Sequence, residues 1–266
     1  MVKQNNFPIG IFDSGVGGTS IWKEINALLP LESTIYLSDS KNAPYGNKTK
    51  ESIIDLSIKN TEFLLNQNCK LIVVACNTAT TNAIKVLREK YKVPFIGIEP
   101  AIKPAALQTK TNTIGILATK GTLNSELFEK TSNTINKKII RKEIIGKGLV
   151  ELIENGKLNS DEMTNLLSSY IIPLIKQNAD CLVLGCTHYP YLIPQIRKIV
   201  GNKIQIIDSG EAVAKQTKSI LEKNNLINSK AENVFHNFFI NQDKKVLEML
   251  ITKTDNKFVK ITEKDF

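Results

Sequence analysis

Cysteine is scarce in this 266-residue chain, with only Cys69, Cys76, Cys181 and Cys186. Four thiols are too few for a disulfide scaffold, and a reducing compartment would keep them free. The chain also lacks an apolar run long enough to span a bilayer, and its start, MVKQNNFPIGIF, reaches Asp13 before the apolar core of a signal peptide could form. We therefore expect a cytoplasmic protein without membrane association, whose thiols are available for chemistry.

Arginine is rarer still and occurs only at positions 88, 141 and 197. Lysine and arginine together number 35 against 26 acidic residues, which gives a net charge of +9. Such a charge favours nucleic acid when it is gathered on one face, but the lysines are spread along the chain, and arginine is the residue that reads phosphate and guanine. The sequence therefore predicts a lysine-rich solvated surface and makes nucleic acid an unlikely partner.

Apolar runs of strand length alternate with helix-like segments along most of the chain. The predicted strands are PIGIF, STIYLSD, KLIVVA, VPFIGIE, TIGILA, KIIRKEI, CLVLG and KIQIID. The predicted helices lie at about 19–29, 50–66, 80–90, 101–107 and 124–135, twice between 147 and 178, and after Tyr191. Continuous Val/Ile/Leu runs are typical of strands covered by helices on both faces, so the sequence predicts an α/β fold with parallel sheets. The tail beyond Lys215 carries little signal.

An internal repeat divides the chain into two similar units. IGIFDSGVGGTS at 9–20 has a weaker counterpart in IGILATKGTLNS at 114–125, and a strand ending in a cysteine follows each at a similar distance, at Cys76 and at Cys186. Open α/β sheets bind ligands at the carboxyl ends of their strands. We therefore expect the two units to face each other across a cleft, with the two cysteines on opposite sides.

Cys76 and Cys186 each lie at the end of a predicted strand, just before a predicted helix. Free N–H groups and the dipole at a helix start favour an anion, and would lower the pKa of a thiol there. A thiolate is a competent base, so each cysteine could accept a proton in one state and donate it in the other. Packing in the core is the ordinary role of a cysteine and fits the other two. The polar residues that follow Cys76 and Cys186 favour a functional role for this pair.

Metal and nucleotide sites compete with this interpretation. Zinc takes three or four protein ligands, whereas the chain has two histidines and no Cys-x-x-Cys pair, so a zinc site joining both thiols to His188 is less favoured. DSGVGG at 13–18 matches neither the dinucleotide fingerprint nor the Walker pattern. It predicts instead a tight strand-to-helix turn with helix capping by Ser14 or Thr19, while Asp13 near a thiol could hold or share its proton.

An anionic ligand would find no arginine nearby, because Arg88 and Arg197 fall about three helical turns beyond the cysteine motifs. It would depend on hydroxyls, amides and helix ends instead. The available donors that follow predicted strands are Ser14, Asn77, Thr78, Thr122 and Thr187. NAPYG at 42–46 is a turn by composition and by itself indicates no site.

Taken together, IGIFDSGVGGTS, NAPYG, ACNTAT and GCTHYP, in this order and spacing, resemble the glutamate racemases, cofactor-independent enzymes that supply D-glutamate for bacterial peptidoglycan. The resemblance runs from about Ile9 to Glu211. It implies two flavodoxin-like domains with the active site in the cleft between them, formed by residues 1–98 plus 208–266 and by residues 99–207. It also implies glutamate as the small-molecule substrate, no cofactor, no metal and a homodimer.

The resemblance further implies roles for individual residues. Cys76 and Cys186 would be the catalytic acid/base pair, one on each face of the substrate Cα, with Cys76 acting on D-glutamate and Cys186 on L-glutamate. Asp13 and His188 would assist the two thiols. The positions that match substrate-binding residues, with Thr122 added as an available donor, are Asp13, Ser14, Tyr45, Gly46, Asn77, Thr78, Thr122, Thr187 and His188.

One further carboxylate is expected to assist catalysis, in the segment VELIENG. Glu154 aligns best with the carboxylate of the resembled family, whereas Glu151 stands where many members have proline. We therefore expect Glu154 to be the assisting residue.

Two other functions stay open at this stage. One is an aspartate racemase of the same family, since sequence does not reveal the depth of the side-chain pocket. The other is a non-catalytic protein that binds a small ligand or nucleic acid on a racemase scaffold, for which the net charge of +9 is the support. Turnover of glutamate compared with aspartate distinguishes the three.

Overall fold

A computed structural model describes residues 4–229, 234–251 and 259–266 of the chain. Ten strands form two parallel sheets, one of six strands and one of four. The strands are β1 (Ile9–Asp13), β2 (Thr34–Ser38), β3 (Leu71–Val74), β4 (Phe95–Gly97), β5 (Thr113–Ala118), β6 (Ile140–Ile145), β7 (Cys181–Gly185), β8 (Gln205–Ile207), β9 (His236–Ile240) and β10 (Val259–Glu263).

Helices form the crossover connections that parallel strands require. They are α1 (Thr19–Leu28), α2 (Lys50–Asn66), α3 (Asn77–Lys90), α4 (Ile102–Gln108), α5 (Lys120–Leu123), α6 (Glu126–Ser132), α7 (Leu149–Glu154), α8 (Asp161–Lys176), α9 (Ile193–Val200), α10 (Gly210–Lys223) and α11 (Lys245–Ile251). Within the described ranges, no helix has the length and apolarity that a membrane crossing requires.

The two sheets repeat one strand order, which confirms the predicted α/β fold and its internal repeat. The six-stranded sheet runs β10-β9-β2-β1-β3-β4 and the four-stranded sheet β6-β5-β7-β8. In each unit the first strand lies between the second and the third, so that Ile11 pairs with Tyr36 and Val73, and Ile116 pairs with Glu143 and Val183. Crossovers therefore leave in opposite directions beside β1 and β5, which opens a crevice at the carboxyl ends of these strands.

Continuous apolar runs became strands that are buried on both faces, as their composition predicts. Every residue of β1, β2, β3, β5 and β7 is buried. Helix α1 covers the six-stranded sheet with the buried side chains of Ile21, Trp22 and Ile25. Burial of one such aliphatic or aromatic side chain stabilises the fold by about 1.5–3 kcal/mol, so these layers fix the strand ends that carry the polar motifs.

Two local predictions were wrong. The helix expected from about residue 80 begins at Asn77, and the helix expected over 124–135 is shorter, covering only Glu126–Ser132 with Ser125 as its cap, while the short helix α5 precedes it. The tail beyond Lys215, where the sequence carries little signal, contains the end of α10 and strand β9, which pairs with β2. Strand β9 alternates buried and half-buried residues, a weaker sequence signal than a continuous apolar run.

Candidate active site

The polar motifs of both units meet at the carboxyl ends of the central strands. Asp13 ends β1, Cys76 follows β3, and in the second unit Thr119 follows β5 and Cys186 follows β7. Both thiols are almost completely covered, with 4% of Cys76 and 7% of Cys186 exposed. The repeat thus places equivalent cysteines in one closed cleft, each contributed by a different sheet.

Cys76 occupies the N-cap position of α3 with an extended backbone. Its Sγ accepts a hydrogen bond from the N–H of Ala79 at 3.4 Å and lies 3.6 Å from the hydroxyl of Ser14. Despite these contacts, burial raises the pKa of the Cys76 thiol, and the neighbouring Asp13 carboxylate raises it further. The predicted lowering of this pKa by the helix start is therefore outweighed by desolvation.

Cys186 has a different environment, because no α-helix starts directly after it. Residues Tyr189–Leu192 form a single 3₁₀ turn, and α9 begins at Ile193, after Tyr191 as predicted, so the helix start expected directly beside the Cys186 thiol is not there. The neighbour of the thiol is His188, whose Nδ1 lies 3.7 Å from Sγ of Cys186. A histidine at this position can exchange a proton with the thiol directly.

Glu154 holds the far side of the His188 ring. Its Oε1 lies 2.5 Å from Nε2 of His188 and accepts the N–H of Val16 at 2.7 Å, while Oε2 accepts the hydroxyl of Ser40 at 2.8 Å. Burial lowers the pKa of His188, but the contacts with Cys186 and Glu154 prevail and hold it well above its usual value. Glu154, and not Glu151, is thus the carboxylate in contact with the histidine.

Asp13 connects the two sides of the cleft. One carboxylate oxygen accepts the N–H groups of Gly15 and Gly18 at 3.1 and 3.0 Å, and the other accepts the hydroxyl of Thr187 at 3.2 Å. Burial raises the pKa of Asp13 to about 6, although the charge of His188 acts in the opposite direction. A carboxyl with this pKa changes its protonation state under mildly acidic conditions and is suited to proton exchange.

The glycines of DSGVGG serve close packing across the cleft. A Cβ added at Gly15 would lie 1.9 Å from Oε1 of Glu154, and one added at Gly17 would lie 2.2 Å from Nδ1 of His188. The predicted helix capping by Ser14 or Thr19 is wrong, because the N-cap of α1 is Gly18 and no side chain caps it. The turn instead lets the assisting residues of the second unit reach the first.

Hydroxyl and amide groups collect beside Cys76. The hydroxyl oxygens of Thr78 and Thr119 lie 2.7 Å apart, and that of Thr122 lies 3.3 Å from Thr78 and 3.0 Å from Thr119. Asn77 is buried, yet neither its Nδ2 nor its Oδ1 has a hydrogen-bond partner among the described residues. A buried amide without partners is costly, and it marks a position where a polar ligand would be bound.

The NAPYG loop also reaches the cleft, but the Tyr45 side chain is engaged elsewhere. Its hydroxyl donates to the carboxylate of Asp39 and accepts from Nδ2 of Asn60 at 3.1 Å. Gly46 packs so closely on the second unit that an added Cβ would lie 2.9 Å from Cβ of Thr119. Because the Tyr45 hydroxyl already has two partners, only the main chain of this loop is available to contact a ligand in the cleft.

Sequence reasoning missed Thr119 and Ser40. Thr119 joins the hydroxyl cluster, and Ser40 donates to Glu154. The internal repeat could have revealed Thr119, because it occupies the position in IGILATKG that Ser14 occupies in IGIFDSGV. Ser40 carries no such signal, since it follows β2 and reaches Glu154 only through the tertiary fold.

Neither arginine nor a cluster of metal ligands is found at the cleft among the described residues. Arg88 and Arg197 lie away from the thiols and donate to the backbone carbonyls of Phe95 and Ile204 at 3.2 and 2.9 Å. The described part of the chain contains no group of three or more His, Cys, Asp or Glu side chains that could hold a metal ion. An anion in this cleft would be bound by hydroxyls, amides and main-chain N–H groups.

The cleft brings together two thiols from equivalent strands and, beside them, groups that can hold or pass a proton. Cys186 lies close enough to Cys76 for a charge on its thiolate to raise the pKa of Cys76, and Asp13 and His188 complete the set. A covered cleft between matching α/β units that holds one thiol from each unit, with groups beside them that can exchange protons, is the arrangement required of an isomerase that inverts a carbon centre.

Comparison with known proteins gives the same class. A family model described as Asp/Glu/Hydantoin racemase matches residues 10–217, and the chain belongs to this family. The glutamate racemase of Ralstonia pickettii is 46% identical over 217 residues, covering 81% of this chain and 76% of that protein. The crystal structure of a glutamate racemase isoform from Bacillus anthracis is 31% identical, with 98% of both chains covered and a TM-score of 0.86. That of a Francisella tularensis glutamate racemase in complex with D-glutamate is 30% identical, with 97% and 98% covered and a TM-score of 0.83.

Proposed function

We propose that the protein is a glutamate racemase, which interconverts L- and D-glutamate with two thiols and supplies D-glutamate for peptidoglycan synthesis. The observation that carries the proposal is the meeting of Cys76 and Cys186 in one cleft, each from the equivalent strand end of its own unit. Inversion at Cα needs a base on one face and an acid on the other, and the repeated fold supplies one group to each face.

The proton transfers balance without a further reactant. With D-glutamate bound, the thiolate of Cys76 removes the Cα proton and the thiol of Cys186 donates a proton to the opposite face. The product is L-glutamate, and the protonation states of the two thiols are exchanged. In the reverse direction Cys186 is the base and Cys76 the acid. Asp13 beside Cys76 and His188 beside Cys186 pass protons to and from the thiols and restore the starting state.

Substrate is held by the unpaired amide and the hydroxyl groups of the cleft. Asn77 offers an amide without partners, and Thr78, Thr122 and Thr187 offer hydroxyls in the same closed space. Donors to the α-carboxylate stabilise the negative charge that develops there as the Cα proton leaves, and their effect is large where water is excluded. Ser14, Tyr45 and Gly46 complete the binding set, the latter two through the main chain.

The substrate also adjusts the acidity of the thiols. Burial raises the pKa of Cys76 and so favours the neutral thiol. The α-ammonium group of glutamate brings a positive charge between the two thiols and favours a thiolate beside it. The buried carboxylate of Asp13 is the natural partner for this ammonium. The reactive thiolate, paired with the ammonium group of glutamate, thus forms only when substrate is present.

The test is turnover of each enantiomer of glutamate and of aspartate, followed by chiral chromatography with no cofactor added. We expect glutamate to be racemised in both directions. Replacement of Cys76 or Cys186 by serine should lower the rate by about 100-fold to 10,000-fold, the usual contribution of one acid/base group. Cys69 and Cys181 are buried at the amino ends of β3 and β7, opposite the strand ends that carry the site, so Cys69→Ser and Cys181→Ser are matched controls that should keep most activity. Turnover of aspartate but not of glutamate would overturn the assignment of glutamate as substrate. Turnover of neither amino acid would overturn the proposed racemase function.

We also propose the domain boundaries. The six-stranded sheet and its helices would form a discontinuous domain from residues 1–98 and 208–266, and the four-stranded sheet a second domain from residues 99–207. The packing of α10 against α1 and the pairing of β9 with β2 support the first assignment. Residues 1–3, 230–233 and 252–258 of the first domain lie outside the described residues.

A cytoplasmic homodimer is part of the same proposal. Strand β6 supports the dimer, because among the described residues only one of its edges is paired, with β5. Ile140 and Ile145 of this strand are 52% and 45% exposed. Antiparallel pairing of two copies about Lys142 would place Arg141 opposite Glu143. Sedimentation of the protein should then show a dimer that Glu143→Arg weakens and Arg141→Glu combined with Glu143→Arg restores. A monomer at all concentrations would exclude the dimer.

A further inference from the structure

A cavity of about 380 Å³ lies beside the catalytic cleft, between the two units. Gly46 and Thr119 belong to its wall, and the hydroxyl of Thr119 lies 2.7 Å from that of Thr78 in the cleft. On its other side Gly146 accepts a hydrogen bond from the hydroxyl of Tyr189, the residue next to His188. Both thiols are almost fully covered, so a ligand has to enter through an opening in the cleft. Because this cavity adjoins the cleft at Thr119, we take it as the mouth of the cleft.

Three charged side chains surround this cavity: Lys120, Lys147 and Glu151. Both lysines are exposed, and no ion pair engages either of them in the part of the chain that the structure covers. Their backbones are fixed, because Lys120 opens α5 and the carbonyl of Lys147 accepts the hydroxyl of Tyr170 at 2.8 Å. The mouth of the cleft thus carries a net positive charge held at a defined place.

We infer that Lys120 and Lys147 capture the substrate, and that they select amino acids with an acidic side chain before these enter the cleft. The inference rests on the proposed function. Glutamate carries two carboxylates and one ammonium, so its net charge is −1, and a positive mouth raises its local concentration. Neutral amino acids of the same length gain nothing from this field. Glu151 opposes the two lysines, and its removal should strengthen capture.

Steady-state kinetics with both enantiomers of glutamate tests this role. The variant Lys120→Gln combined with Lys147→Gln should raise KM about fivefold at low ionic strength and leave kcat within about twofold, because the charges act before the chemical step. Glu151→Gln should lower KM. Both effects should shrink toward unity as sodium chloride is raised to about 0.5 M, since salt screens exposed charges. Restoring the charges with Lys120→Arg and Lys147→Arg should restore KM.

The matched control removes two exposed lysines near the opposite end of the same sheet. Lys176 ends α8 and Lys203 precedes β8, so both lie near the amino ends of the strands. Lys176→Gln combined with Lys203→Gln should leave KM unchanged. The inference is overturned if this control raises KM as much as the mouth variant, or if the mouth effect does not depend on salt. A wild-type protein without glutamate turnover would instead overturn the proposed function.

Discussion

At the scale of single residues, the two cysteines are equivalent in the fold but differ in what surrounds them. Cys76 caps a helix and contacts Ser14, whereas Cys186 contacts His188, which Glu154 holds from behind. A racemase must work in both directions, yet its two acid/base groups need not be chemically alike. Each has to be matched to its own proton source, and here these sources are a buried aspartate and a histidine in contact with a carboxylate.

The contact between His188 and Glu154 gives the sharpest prediction at this scale. Glu154→Gln keeps the shape of the side chain but removes the charge that keeps the pKa of His188 high. Loss of a hydrogen bond to a charged group costs about 1.5–3 kcal/mol, which corresponds to a fall in kcat of about tenfold to 100-fold in both directions. Glu151→Gln is the matched control and should leave kcat nearly unchanged. Equal effects of the two variants on kcat would argue against a role for Glu154.

At the scale of elements, the strand ends and the turns after them build the site. The turn after β1 contains Gly15 and Gly17 because Glu154 and His188 of the second unit pack directly on its backbone. The sequence shows glycines there but not the reason for them, which depends on residues more than 130 positions away. Sequence therefore identified the first eight strands, most helices up to α9 and the residues at strand ends. It missed partners such as Ser40, which only the tertiary fold brings to Glu154.

The close packing of this turn predicts the effect of a single methyl group. Gly17→Ala should displace the His188 ring, because the added Cβ would lie 2.2 Å from its Nδ1. Displacement of a catalytic group by about 1 Å can cost about 100-fold in rate, so kcat should fall by that order. Gly115→Ala, whose Cβ would lie 2.6 Å from Cδ1 of Leu174 in the core, should lower the melting temperature but spare kcat. Normal kcat in Gly17→Ala would contradict the proposed role of the turn.

A second prediction concerns the junction of α1, β2 and β9. Nε1–H of Trp22 donates to the hydroxyl of Thr34, which in turn lies 2.8 Å from Nδ1 of His236, and burial lowers the pKa of His236 to about 4. A histidine whose pKa is lower in the folded state stabilises the fold above its unfolded pKa of about 6.5, and that stability is lost as pH falls toward 4. The loss approaches about 3 kcal/mol at the acidic limit.

Urea unfolding at pH 7 and pH 4.5 measures this contribution. The wild-type protein should lose more stability between the two pH values than His236→Asn, which has no group to protonate. Because His236 lies far from the thiols in sequence and joins a different set of elements, kcat of the variant at pH 7 should stay close to that of the wild type. An equal loss of stability in both proteins would show that His236 does not set the acid sensitivity.

At the scale of the whole molecule, two copies of one strand order produce a site that neither copy forms alone. The repeat was visible in the sequence because IGIF and IGIL, and the cysteine strands after them, kept their apolar runs. The final strands, β9 and β10, were not visible, because β9 alternates buried and half-buried residues, β10 has only half-buried and exposed residues, and neither needs a continuous apolar run. The acidity of Cys76 was also misjudged, since a local helix start could be read from the sequence but the depth of burial could not.

The central claim is that two thiols act on opposite faces of one carbon, and proton tracing in deuterium oxide tests it most directly. The wild-type protein is incubated with unlabelled D-glutamate or L-glutamate, and both enantiomers are analysed by mass spectrometry at low conversion. Because donor and acceptor are different groups, the product should carry deuterium at Cα from the first turnovers, while the remaining substrate stays largely unlabelled. Cys76→Ser and Cys186→Ser should each lower the rate of product formation by about 100-fold to 10,000-fold. A product that retains the original Cα proton would mean that one group removes and returns it, and would contradict the two-thiol account.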